Sequence, residues 1–167
     1  MLTQPLLDKL SKLHLSGFRA ALEEQLHNPQ YDDLSFEERL GLLVDIETTR
    51  RANNSLRRRI KAARFPIVAT IEDLDLSARR GLNRGQVLQL AQSEWVDRHL
   101  NLMILGPTGA GKTYLASALG RAACQAGCKV RYERTSRLLK SLELAHADGS
   151  SNDSSRSLSR IISSNAA

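Results

Sequence analysis

Eight residues in this chain have the types and spacing that suit phosphate chemistry: Gly106-Pro107-Thr108-Gly109-Ala110-Gly111-Lys112-Thr113. They match the phosphate-binding loop pattern G-x-x-x-x-G-K-[ST] in full. Gly106, Gly109 and Gly111 allow a tight turn and bring backbone N–H groups against anionic oxygens. Lys112 adds a full charge, a helix starting near it points its positive end at the same anion, and the Thr113 hydroxyl suits a Mg²⁺ ion. The candidate nucleotide-contact set is Gly106, Pro107, Thr108, Gly109, Ala110, Gly111, Lys112, Thr113 and Tyr114. The ligand these residues imply is a nucleoside triphosphate with Mg²⁺, Thr113 being the metal ligand.

A second group is purely cationic. Between Arg50 and Arg64 stand Arg50, Arg51, Arg57, Arg58, Arg59, Lys61 and Arg64, with no acidic residue among them. Cations crowded on one helix repel, and a phosphate backbone relieves that repulsion. Few aromatics are interleaved, so contact with the backbone of a nucleic-acid duplex fits better than base stacking. The whole chain agrees: 24 Lys and Arg against 18 Asp and Glu leave a formal net charge of +6. Cys124 and Cys128 have no second ligand pair near them, which argues against a zinc site. No apolar run approaches the ~20 residues that span a bilayer, and no signal peptide opens the chain, so a cytoplasmic protein is expected.

These groups need elements to hold them. Thr3 to Leu13 reads as an amphipathic helix with Leu6, Leu10 and Leu13 on one face, and Ser16 to His27 as a second with Leu15, Phe18, Leu22 and Leu26. Asn28-Pro29-Gln30 stops it. Ser35-Phe36-Glu37-Glu38 is a capping box opening a helix to about Arg64, where Phe65-Pro66 ends it. Ile67 to Leu76 reads as a linker, and Arg79, Arg80 and Arg84 form a smaller basic cluster. Asn83 caps a helix reaching Ser93, with Val87, Leu88, Leu90 and Ala91 inward. Trp95 is expected in a core. Leu102 to Leu105 reads as a buried strand, Tyr114 to Gln125 as a helix with Leu115, Ala118, Leu119, Ala122 and Ala123 inward. Lys129 to Glu133 reads as a strand and Ser136 to Ala147 as a helix with Leu138, Leu139, Leu142 and Leu144, so the order is βαβα. Ser151 to Ala167, with seven Ser and no apolar period, reads as disordered.

From about Leu6 to Gly149 the chain resembles the IstB-like ATP-binding proteins, helper ATPases of a bacterial insertion-sequence group. Leu13-His14-Leu15-Ser16-Gly17, the Ser35 capping box, Arg57 to Pro66 and Asn101 to Thr113 carry the resemblance. It implies an α/β P-loop NTPase of AAA+ type preceded by an all-α N-terminal region. It also implies ATP-dependent self-oligomerisation on duplex DNA and a partner transposase. The expected division is 1–66 for helical DNA and partner binding, 67–98 for linker and helix, 99–150 for a partial ATP-binding domain, and 151–167 for an aberrant tail. The family's acidic pair after an apolar strand, its sensor and its arginine finger have no counterpart after Gly149. An incomplete parallel sheet, unpaired edges at Lys129 to Glu133, no catalytic residues and no appreciable ATP hydrolysis are the consequences expected, with truncation or a frame change near Ser150 as the origin. A helicase loader of DnaC type and a non-catalytic DNA-binding fragment are the alternative readings.

Overall fold

The computed structural model describes residues 3–75, 82–147 and 161–163. Its elements in chain order are α1 (Thr3–Lys12), α2 (Ser16–His27), a 3₁₀ turn (Pro29–Tyr31), α3 (Phe36–Ala63), α4 (Arg84–Ala91), α5 (Glu94–Asp97), α6 (Lys112–Gln125), β1 (Arg131–Glu133), α7 (Thr135–Ala147) and β2 (Ile161–Ser163). Two compact units divide the chain, 1–55 and 56–167. The boundary falls inside α3, eleven residues before the expected 66/67 division.

The first unit is helical. α1 ends where His14 takes a left-handed conformation (φ 57°), and Leu15 N–H closes back onto Leu10 O at 3.0 Å. The chain then turns into α2, whose start has no side-chain cap from its own neighbour Leu15. Glu47, on α3, supplies one: Oε2 accepts from Gly17 N–H at 2.8 Å and Phe18 N–H at 3.1 Å. Oε1 accepts from Arg51 Nε at 2.7 Å. Arg51 beside Glu47 holds its carboxyl below the usual range, opposed by burial and helped by the two backbone donors. The helices meet closely here, since a Cβ on Gly17 would stand 2.9 Å from Glu47 Oε2 and 3.0 Å from Arg50 Cδ.

That close approach changes the buried faces. α2 buries Gly17, Ala21 and Gln25, a line of small and polar residues, whereas Leu26 is exposed. On α1 it is Leu7 and Leu10 that are buried, while Leu6 and Leu13 are exposed. The stripe expected on α1 is therefore displaced, because the neighbour's shape and not hydropathy alone selects the inward side. The capping box forms as expected: Ser35 N–H and Ser35 Oγ both donate to Glu38 Oε2 at 2.8 Å, and Glu38 N–H donates to Ser35 Oγ at 3.3 Å. Those bonds hold the pKa of Glu38 below its ordinary value, the backbone one first.

The second unit is built around α6. Its inward residues Leu115, Ala118, Leu119, Ala122 and Ala123 are all buried. One cluster joins Leu115 and Leu119 to Val87 of α4, with Ile71, Leu74, Leu82, Leu90, Ala91 and Ile104 packed around them. The stretch expected to be a linker thus supplies part of the core. Leu88 points out, and Trp95 is half-buried, its Nε1 donating to Leu90 O at 3.0 Å. A second cluster joins Ala123 and Cys124 at the far end of α6 to Ala63, Val130, Leu56, Ile60, Phe65 and Cys128.

The sheet differs from expectation. β1 pairs in parallel with β2, Arg131 opposite Ile161, Tyr132 opposite Ile162 and Glu133 opposite Ser163. Within the run Lys129 to Glu133, Arg131–Glu133 therefore has a partner, formed by part of the stretch read as tail. Leu102 to Leu105 is neither a strand nor buried: Met103 is 79% and Leu105 81% exposed. The expected incomplete sheet through this run is not formed, because a strand needs a hydrogen-bonded neighbour and none of the described residues provides one. Ile104 alone turns inward. In α7, Leu139 and Leu144 are exposed; the side chain of Leu142, the cluster residues Arg79 and Arg80, and 151–160 and 164–167 of the expected disordered tail lie outside the described residues.

Candidate nucleotide-binding site

The loop 106–111 leads into α6 with Gly111 at its cap position. Gly109 and Gly111 have φ of 82° and 88°, conformations that cost any residue with a Cβ. The two glycines are what allow the loop to fold over the start of the helix. No side chain caps that start. The N–H groups of Gly109, Gly111, Lys112, Thr113 and Tyr114 have no acceptor among the described residues, and the first closing bond is Leu115 N–H to Gly111 O at 3.0 Å. Free donors at the positive end of a helix are what an anion binds.

Lys112 completes the cradle from the side-chain direction. Its Nζ donates to Gly106 O and to Pro107 O, both at 2.9 Å. An ammonium has three donors, so one remains for an incoming oxygen. Ala110 N–H donates to Pro107 O at 3.3 Å, tightening the loop behind it. Residues 106–111 are all exposed, while Lys112, Thr113 and Tyr114 are half-buried. The hydroxyls of Thr108 and Thr113 have no protein partner among the described residues. A charged, donor-rich mouth on a helix end buried at its base fits a polyphosphate. Among the described residues, no group of three or more His, Cys, Asp or Glu could hold a metal unaided. A hydroxyl such as that of Thr113 supplies one ligand to a Mg²⁺ that the phosphates themselves would also coordinate.

The seven cationic residues do not act alike. Arg50, Arg57, Arg58, Lys61 and Arg64 are exposed. Arg51 is held by Glu47. Arg59 is half-buried, and its Nε donates to Cys124 O at 2.9 Å, at the last turn of α6. Sequence reasoning grouped Arg59 with its neighbours because a single residue's facing is invisible in a run of like charges. The helical period offered a signal: Arg59 lies on the side of Leu56, Ile60 and Ala63. Glu47 was also missed as a structural acid. Glu133, paired with Arg131, was missed too; its Oε2 is buried without a partner among the described residues. Cys124 is buried and Cys128 half-buried. Burial pushes the Cys124 thiol up, against the pull of Arg59, which makes it a poor nucleophile.

A complete phosphate loop at the head of a buried helix places the chain among nucleotide-binding P-loop proteins. It belongs to the IstB-like ATP-binding protein family, whose model matches residues 8–163. It is 43% identical to the ATP-binding protein of insertion sequence IS1162 from Pseudomonas fluorescens over 162 residues, 96% of this chain and 70% of that protein. Two insertion-sequence ATP-binding proteins of Sinorhizobium fredii, y4pL and y4uH, are 41% and 40% identical over 89% and 90% of the chain. The chain spans about 61% and 60% of their lengths. No helix among the described residues is long and apolar enough to cross a membrane.

Proposed function

We propose that this chain is an ATP-binding helper of DNA transposition, which holds ATP and Mg²⁺ in the 106–113 loop and grips duplex DNA through the basic end of α3. The observation that carries the reading is the loop itself: unpaired N–H groups at the start of α6, with the Lys112 ammonium poised over Gly106 and Pro107. Gly106 to Gly111 would wrap the phosphates, Lys112 would neutralise them, and Thr113 would ligate Mg²⁺. When bound, the metal supplies charge neutralisation between phosphate oxygens. The names of the relatives, each an insertion-sequence ATP-binding protein, support the biological setting. A transposase as partner and self-association complete the proposal.

Turnover is a separate matter. After Thr113 no apolar run of this sequence closes in two acidic residues. These 167 residues lack that pair, and taken by themselves they are expected to hold ATP without hydrolysing it at an appreciable rate. Calorimetry with ATP, with and without Mg²⁺, tests the binding. Lys112→Ala is expected to weaken ATP about 10- to 100-fold, the range for a lost hydrogen bond to a charged group. Equal affinity in wild type and variant would remove the basis of the reading. Single-turnover hydrolysis clearly above the Lys112→Ala background would refute the inactive assignment alone.

A further inference from the structure

The two compact units carry opposite charge. Residues 1–55 hold six Lys and Arg against nine Asp and Glu, a net of −3, whereas 56–167 hold eighteen against nine, a net of +9. All of the chain's surplus positive charge therefore resides in the unit that contains the phosphate loop. Within that unit the basic run of α3 separates by facing. Leu56, Ile60 and Ala63 pack on the end of α6, and Arg59 donates to Cys124 O beside them. Arg57 and Lys61, four residues apart, and Arg58, three before Lys61, lie on the other side of the helix. All three are exposed, and none is in an ion pair among the described residues.

We infer that Arg57, Arg58 and Lys61 form the phosphodiester-contacting ridge, that Arg59 is a positioning residue, and that the unit 1–55 makes no duplex contact. The inference rests on the DNA-binding reading above and narrows it to the three exposed cations that α3 carries within the 56–167 unit, Arg64 lying past the end of α3 and Arg50 in the other unit. Three cations within about one helical turn, some 6 Å of axis, match the ~3.4 Å axial rise per phosphate of one DNA strand. The uncompensated repulsion among them falls when phosphates approach. Arg51 is already neutralised by Glu47, which keeps its guanidinium off the ridge. Arg59 instead ties the ridge to α6: its guanidinium meets a carbonyl at the negative end of the helix whose positive end is the phosphate loop.

The test is the salt dependence of binding of a 30-base-pair duplex to the full chain, read by fluorescence anisotropy at several salt concentrations. Each lost phosphate contact lowers the log–log slope by about 0.9. R57Q/R58Q/K61Q is expected to lower it by about 2.7, with an unchanged melting temperature. R59Q is expected to keep most of the slope and lower Tm by a few degrees. K9Q/K12Q, in the acidic unit, is expected to change neither. If the triple variant loses helical circular dichroism, the single variants R58Q and K61Q replace it, each expected to remove about 0.9. A wild-type slope in those ridge variants, or an equal loss of slope in K9Q/K12Q or R59Q, overturns the inference while leaving duplex binding intact. Absence of salt-sensitive binding by the wild type overturns the underlying reading instead.

Discussion

Gly17 and Glu47 show how one residue can dictate another at thirty positions' distance. The carboxylate replaces the missing cap of α2, and only a hydrogen at position 17 leaves it room. Gly17→Ala is expected to destabilise the 1–55 unit by about 1–3 kcal/mol, the usual cost of overpacking, measured by urea denaturation. The same contact sets a pH response. Glu47 has a folded pKa below its ordinary value, so its contribution is fully present above about pH 4.3 and is lost as pH falls through the lowered value. Acid unfolding of the wild type is therefore expected to be steeper below that point than for Glu47→Gln, whose stability should stay flatter there. At the loop, Lys112 is bonded to Gly106 and Pro107 before any anion arrives, so the cradle is preorganised by its own cation.

At the scale of elements, α3 and α6 matter most. α3 begins with a reciprocal cap between Ser35 and Glu38. Ser35→Ala is expected to cost about 1 kcal/mol of stability, seen as a lower denaturant midpoint. α4 starts with a one-sided cap, Asn83 Oδ1 accepting from Gly85 N–H at 2.8 Å. α6 is the element on which the phosphate site depends, about 21 Å long at 1.5 Å per residue, with its middle buried by Leu115 and Leu119 against Val87. Leu119→Ala is expected to cost about 2–5 kcal/mol and to weaken ATP binding with it, since the loop is only as fixed as the helix behind it. An unchanged ATP affinity in a clearly destabilised Leu119→Ala variant would show the loop to be independent of that packing.

For the whole molecule, order is uneven. Residues 102–105 are apolar, yet Met103 and Leu105 face solvent and no backbone bond from this run to the described residues holds it. Hydrogen exchange is expected to be fast at the amides of 102–105 and slow at those of 115–124, where α6 is buried. Uniform protection across 102–124 would contradict this picture. Charge is uneven as well, with the acidic unit and the basic unit meeting inside a single helix.

Much of this was legible from the residue order. The phosphate loop, the capping box, the Asn83 cap and the limits of α2 and α6 are local: each depends on side chains three or four positions apart, so their chemistry is written within one turn. The basic run was legible as charge for the same reason. What the order could not state was facing and pairing. Whether Arg59 meets solvent or a carbonyl 65 residues away, whether Leu6 or Leu7 turns inward, and whether β1 stays unpaired or pairs with Ile161–Ser163 depend on which surfaces meet. Hydrophobic burial is non-directional, so the local pattern fixes how much apolar surface must be covered, and only the assembled neighbours decide which side is covered and by what.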